Sequence, residues 1–573
     1  MRPPIVLRVE RSCLPSPKAK LQAKSKTKSV ALHQLHQLRQ LRQLQSNVYP
    51  ASMTHADLAD HANHSNQPGL HHPRPGTLTL ASGAVTIEAV VAVARYRSHV
   101  AISDEARTNI RRARAIVEKS MGDGLPHYGI NTGFGSLSRA RIPDQDLRSL
   151  QLNLLRSHAA GVGEPLPEEV VRAMLILLAA SLCRGCSGVR EIVVDSIVAL
   201  LNSGVTPVVP SLGSVGASGD LAPLAHACLV LVGEGEATYK GVRTPAADAL
   251  RAANLAPMAL DAKEGLALIN GTHLMAGRGC LVIADAERTF TAALQACAMS
   301  IDGARATDAF LDERAHAARN QPGQMNVASR LRALLQGSTI ITSHAENDTR
   351  VQDPYSFRCS PQVLGAAWDC MRYVRGCVER ELGGVTDNPL VLGSDIVSAG
   401  NFHGMPMAIP FDALGIALSH VAGISERRVF WILSAIDKES NLPAYLAPNP
   451  GLYSGMMIAQ YTAAACCNEM IQLANPASVA NISTSAGMED YNSFGPRCVA
   501  KSARAVELLE YVVAIEFLCA TEAIDRHRPF RSGSGVERAH ESVRSCVKPL
   551  TSDRSSSPDI EAIVAMMRAG GFR

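Results

Sequence analysis

Residues 213–226 read Gly-Ser-Val-Gly-Ala-Ser-Gly-Asp-Leu-Ala-Pro-Leu-Ala-His, and the tripeptide at their centre, Ala217-Ser218-Gly219, can build an electrophile from its own backbone. Attack of the Gly219 amide nitrogen on the Ala217 carbonyl carbon, with loss of two waters, one from the Ser218 side chain, gives 4-methylidene-imidazol-5-one (MIO). Such a group is an electron sink, which none of the twenty side chains supplies. The flanking glycines permit the tight turn that ring closure needs. A bare Ala-Ser-Gly is most often a turn before a helix, so the segments that accompany it decide between the two.

Seven further segments accompany it: Tyr-Gly-Ile-Asn-Thr-Gly-Phe-Gly at 128–135, Ser-His-Ala-Ala-Gly at 157–161, Asn-Gly-Thr at 270–272, Val-Gln-Asp-Pro-Tyr-Ser-Phe-Arg-Cys at 351–359, Asp-Asn-Pro-Leu at 387–390, Asn-Phe-His at 401–403 and Glu489-Asp490. In this order, across residues ~76–530, the set resembles the aromatic amino acid ammonia-lyase family, which includes histidine, phenylalanine and tyrosine ammonia-lyases and related aminomutases.

The resemblance implies a reaction and a set of roles. An α-amino acid that loses ammonia must give up a weakly acidic β-proton and expel a poor leaving group. MIO, formed from Ala217, Ser218 and Gly219 without an external cofactor, answers the second problem, and Tyr128 matches the family's catalytic tyrosine for the first. A free phenol has a pKa of about 10, so Tyr128 needs activation, which helix N-termini directed into the site would provide. Arg358 is the best carboxylate clamp, because its planar guanidinium binds both oxygens at once. Gln352 and Tyr355 share its segment, and Tyr355 is expected to shape the amine and proton-transfer region. Asn270 is expected to hydrogen-bond the prosthetic group or the substrate carboxylate, Glu489 to exchange a proton at the substrate amine, and Phe402 to pack beside the prosthetic ring.

Substrate choice turns on few residues. His158 matches the family's selectivity region, where a histidine suits either a tyrosine phenol or, as in histidine ammonia-lyases, an imidazole. Three residues depart from the histidine-specific pattern: His273 and Met488 stand where glutamine is common, and Tyr491 where histidine is common. Met488 in place of an amide adds polarizable apolar surface. On that basis the sequence is read as preferring L-tyrosine, giving p-coumarate, with L-phenylalanine second. The alternative is histidine deamination to urocanate, which Glu489 favours. An aminomutase and a noncatalytic helical scaffold are the other classes weighed, and the scaffold does not require Ala217-Ser218-Gly219, Tyr128 and Arg358 together.

These residues need a scaffold that composition describes as mainly α. The 573 residues are 46% hydrophobic, 19% charged and only 4% aromatic, which favours helix packed on helix. Leu274 to Ser300, Phe411 to Ile436 and Val499 to Arg526 read as helices of ~26 residues, roughly 40 Å each. The expected architecture is an elongated long-helix bundle of the ammonia-lyase/fumarase-like type, with a basic low-complexity leader at 1–75, an MIO-bearing domain at 76–275 and helical bundle at 276–573. Excess apolar surface implies subunit packing, and the resemblance implies a homotetramer whose sites combine several subunits.

The net charge of +4 hides a basic arm, with ten Lys or Arg in residues 1–56 against Glu10 alone. It contains the three-residue repeat His33-Gln34-Leu35 to Arg42-Gln43-Leu44, whose period fits no amphipathic helix. The arm is read as a bland extension, with no nucleic-acid partner expected. No secretory signal is evident, and no apolar run is judged to approach the ~20 residues that span a bilayer, so a cytoplasmic enzyme is expected. Cys183-Arg184-Gly185-Cys186 has metal-ligand spacing but no second pair, so no metal is expected.

Overall fold

The computed structural model describes residues 76–572 apart from Ala140 and Asn347; the leader expected at 1–75 lies outside the described residues. Ten helices frame the site and its support: α1 (Leu147–His158), α2 (Glu168–Cys183), α3 (Leu221–Leu229), α4 (Glu264–Ile269), α5 (His273–Gly303), α6 (Pro322–Leu335), α7 (Ser360–Leu382), α8 (Met405–Ser434), α9 (Met457–Leu473) and α10 (Gly495–Asp525). Among the described residues sheet is confined to small pairings, such as Thr77–Leu80 running parallel to His99–Ile102 and a three-stranded patch of Thr206–Pro207, Glu236–Tyr239 and Val242–Pro245.

Helices α5, α8 and α10 form the bundle's axis, with α7 packed on α8 and α2 on α5. The three axial helices run 30 or 31 residues, which is about 45 Å. They are long because Pro is absent from α5 and confined to the first turns of α8 and α10, apart from Pro410. They pack centrally because α5 is buried on nearly all faces, the pattern of a core helix. The expected start of α8 at Phe411 is six residues late, since the helix runs through Pro410. Pro lacks an N–H and usually breaks a helix, so sequence reasoning stopped there, whereas packing of the flanking turns carries the helix across it.

Helix α8 also corrects the reading of apolar runs. By length and composition it could cross a bilayer, but 61% of its apolar window is buried inside the protein. It carries Asp412, Glu426 and Arg428, all buried, and Lys501 pairs Asp412 at 2.9 Å. That is the pattern of a core helix rather than a lipid-facing one.

The bundle's centre is not wholly apolar. Arg428 of α8 and Glu516 of α10, both fully buried, pair through Nε–Oε1 at 2.5 Å and Nη2–Oε2 at 2.9 Å. Ser300 of α5 donates to the same carboxylate at 2.7 Å and Ser425 at 2.5 Å. Removing one partner strands the other charge away from water. Glu516→Ala should therefore destabilise the protein by about 3–5 kcal/mol, whereas replacing Arg428 and Glu516 together with apolar residues of similar volume should recover most of that loss. Denaturant midpoints of the single and double variants check it; equal losses in both would refute a stranded charge as the cause.

Candidate active site

The tripeptide lies where four helix N-termini meet. It forms the turn before α3, and the chain enters α5, α8 and α10 through segments tied to the same turn. Gly404 N, just before α8, donates to Gly216 O at 3.3 Å, while Phe494 N and Ser493 Oγ, just before α10, donate to Val215 O and Gly216 O at 2.9 and 2.8 Å. Asp220 joins α3 to α5 by accepting from Leu274 N and Met275 N at 2.9 and 3.1 Å. Four positive dipole ends thus converge on one small volume, which favours negative charge there. Burial pushes the Asp220 carboxyl up to about 7.

The turn depends on close backbone approach. Gly219 has φ +74° and pairs with Gly271, and a Cβ on Gly219 would come within 2.1 Å of Gly271 O. Asp220 N donates to that carbonyl at 2.8 Å, and Gly271 N to Ser218 O at 3.4 Å. The tripeptide is therefore pinched between its own turn and the Asn-Gly-Thr segment, with Ser218 Oγ free to face the other way.

Ser218 Oγ donates to Glu489 Oε1 at 2.8 Å, and Thr484 Oγ1 holds Oε2 at 2.8 Å. His158 ends α1. Its Nδ1 lies 3.0 Å from Leu154 O, which can only accept, so the neutral ring carries its proton on Nδ1 and leaves Nε2 as an acceptor. Burial lowers the His158 pKa, and the hydrogen bond to the Leu154 carbonyl and then the Glu489 charge oppose it. Tyr128 is half-buried, with Gly135 N donating to its hydroxyl at 3.4 Å. Burial, helped by the Glu489 charge, raises its pKa above the ordinary value. Within one chain the phenol is thus held neutral, against the expected activation, because desolvation outweighs the long amide contact.

Asn270 caps the end of α4, deeply buried; its Nδ2 donates to Asn388 O at 3.0 Å and its Oδ1 has no partner among the described residues. Asp387, next to Asn388, is held by the buried Lys263 at 2.7 Å. Phe402 is half-buried in the turn before α8, and its neighbour His403 meets Tyr491 O at 3.0 Å. Met488 sits beside Glu489 in sequence and is 63% exposed within one chain.

Gln352, Tyr355 and Arg358 are not brought to this end of the bundle. Arg428, far along α8, donates to Ser356 O at 3.3 Å, whereas Gly404, just before α8, touches Gly216. The intervening turns span ~35 Å. Tyr355 is 69% exposed and Gln352 is also exposed.

Sequence reasoning passed over Asp220, Ser493 and Thr484. Asp220 had a local signal, since an Asp preceding an apolar helical run is a capping residue type, although here it caps α5 rather than its own helix. Ser493 and Thr484 had none, because their contacts lie across the fold. His273, noted only as a departure, is buried with both ring nitrogens unpartnered among the described residues. Burial, with the Arg184 charge adding to it, lowers its pKa to about 3.

A depressed histidine contributes stability above its unfolded pKa near 6.5 and loses it as pH falls towards 3. The loss reaches about 2 kcal/mol by pH 5. His273→Gln should therefore lose less stability than the parent between pH 7.5 and 5, as read from denaturant midpoints. Parallel losses would show that His273 does not stay neutral.

A long-helix bundle pinches Ala-Ser-Gly among four helix N-termini and sets a carboxylate on the serine hydroxyl, a framework shared with known lyases. The family model described as Aromatic amino acid lyase matches residues 85–545, and the chain belongs to that family and is an ammonia-lyase. It is 47% identical over 506 residues to the histidine ammonia-lyase of Anaeromyxobacter sp. (strain K), covering 87% of this chain and 99% of the relative. The crystal structure of histidine ammonia-lyase from Trypanosoma cruzi superposes with a TM-score of 0.80 at 39% identity, over 87% of this chain and 94% of that one. Tyrosine aminomutase from Streptomyces globisporus superposes with a TM-score of 0.82 at 32% identity, over 87% and 97%.

These findings bear out the mainly helical ammonia-lyase fold and overturn the expected tyrosine preference. Curated relatives at 43–47% identity over most of the chain are histidine ammonia-lyases. The reading gave Met488 more weight than Glu489, the residue it had itself counted towards histidine.

Proposed function

We propose that this enzyme eliminates ammonia from L-histidine to give urocanate. The observation that carries the reading is Glu489, whose carboxylate sits 2.8 Å from Ser218 Oγ and is felt by His158. A carboxylate beside an imidazole acceptor complements the N–H groups of an imidazole substrate, and polar pairing of this kind dominates specificity. The histidine ammonia-lyase relatives support the same reading.

The residues around the tripeptide fit MIO. The glycine-only approach of Gly219 to Gly271, the outward Ser218 hydroxyl and the unpaired Asn270 Oδ1 are what a ring closed from Ala217, Ser218 and Gly219 would use. Once formed, that group supplies an electrophilic carbon for the substrate amine. Tyr128 would take the β-proton as the phenolate, its own proton having first left to solvent, and the converging helix N-termini favour that phenolate and the negative charge that develops. Asn270 Oδ1 accepts a hydrogen bond within the site, Glu489 exchanges a proton at the amine, and Phe402 excludes water.

Arg358 binds the substrate carboxylate, and a second copy of the chain brings it, because ~35 Å of helix separates it from Ser218 in its own copy. Tyr355 and Gln352 come with it. A homotetramer whose sites combine several copies satisfies this requirement.

Purified protein given L-histidine, L-tyrosine and L-phenylalanine separately should release urocanate and ammonia from histidine. Faster release of p-coumarate or cinnamate, or accumulation of a β-amino acid, would overturn the reading. Deletion of residues 1–52 should leave histidine turnover nearly intact, since the family match begins at residue 85. Loss of activity in an assembled truncation would give the arm a role.

A further inference from the structure

The described residues of 344–354 contain no helix or strand, yet lead directly into the short helical turn that carries Arg358. Arg350 is their hub. Its Nε and Nη2 grip Asp348 at 3.1 and 2.8 Å, and its Nη1 reaches Asp437, beyond α8, at 3.1 Å. Its Nη1 and Nη2 also donate to the carbonyls of Ala304 and Arg305 at the end of α5. Asp353 is the second anchor: its buried Oδ2 accepts from the Thr307 amide and hydroxyl at 3.0 and 2.7 Å. Its Oδ1 has no hydrogen-bond partner among the described residues and lies 3.8 Å from Arg350 Nη1.

The anchors lead to Arg358. The Asp353 carbonyl accepts from Arg358 Nε at 3.0 Å, and the guanidinium carbon stands 4.4 Å from the centre of the Tyr355 ring. With Nε committed and one face covered, the Nη edge makes no hydrogen bond or ion pair among the described residues. That edge is the part of a guanidinium that takes a carboxylate with two parallel bonds.

We infer that Arg350 and Asp353 are positioning residues for Arg358, bracing an irregular segment so that the guanidinium edge stays directed at the substrate carboxylate. The inference rests on Arg358 being the carboxylate clamp. An unbraced segment of this length samples many conformations, and capture of the substrate then includes the cost of ordering it. Arg350 suits the task because its planar fork serves two carboxylates and two carbonyls at once, which an ammonium cannot do in fixed geometry.

Arg350→Gln tests this with two probes, histidine as substrate and histamine as inhibitor; histamine has the same ring and amine but no carboxylate. The expected result is a rise in KM for histidine of roughly 10- to 100-fold, with kcat changed far less and the inhibition constant of histamine unmoved. Arg350→Lys, which keeps the charge without the fork, should recover part of the loss. Asp353→Asn should give the same split and serves if Arg350→Gln fails to assemble. Parallel weakening of histidine and histamine, or an unchanged KM in both variants, would overturn the inference. Failure of the substrate assignment would show in the parent enzyme before any variant is made, and the ratio is then read with the amino acid it accepts and the matching amine.

Discussion

Ser218→Ala is expected to lower histidine turnover by at least about 10³-fold, equivalent to about 4 kcal/mol of transition-state stabilisation, while leaving the fold in place. The substitution removes the oxygen whose departure creates the methylidene, so no electrophile can form. It deletes one small, half-buried hydroxyl whose partner, Glu489, keeps its bond from Thr484. Mass spectrometry of the peptide spanning residue 218 provides a readout apart from activity: the parent should lack two waters and the variant should not lack the one that leaves with the serine hydroxyl. Near-parental turnover in a preparation free of parent enzyme would eliminate the prosthetic group from the mechanism.

The second large effect is expected at Arg358. Arg358→Ala should cost about 3–5 kcal/mol in kcat/KM, because two charge-assisted hydrogen bonds to the carboxylate disappear together. The location of Arg358 makes a sharper expectation. Since Ser218 and Arg358 lie at opposite ends of α8 in one copy, Ser218→Ala and Arg358→Ala chains assembled together should recover activity that neither has alone. A site that takes Ser218 from one copy and Arg358 from another is intact. Mixed assemblies as inactive as the separate variants would show that each site is built within a single copy.

Much of the site was legible because its chemistry is local. Ala217-Ser218-Gly219 and its glycines form a turn specified by neighbouring residues, and the Pro-free, alanine-rich stretches are read correctly as long helices because periodicity and propensity act along the chain. The ends were less legible. Helix α8 begins at Met405 because tertiary packing overrides Pro410, and its apolar window is a core feature only because other helices cover it. The substrate reading failed for a related reason: residue type says what a side chain could do, and only the fold shows that the Glu489 carboxylate rests on Ser218.

The sequence by itself determined the family, the reaction class and the long-helix scaffold, and it nominated the tripeptide and the groups proposed to serve it, because these follow from residue types at short spacing. Tertiary structure alone decided that four helix N-termini meet at the tripeptide, that Glu489 reaches Ser218 across 271 residues of chain, that burial pushes the Tyr128 phenol up, and that Arg358 lies at the far end of its own bundle. Those are consequences of which surfaces are removed from water and which charges are brought within reach of one another. Neither can be read from spacing along the chain, since burial and Coulomb interactions depend on distance through space.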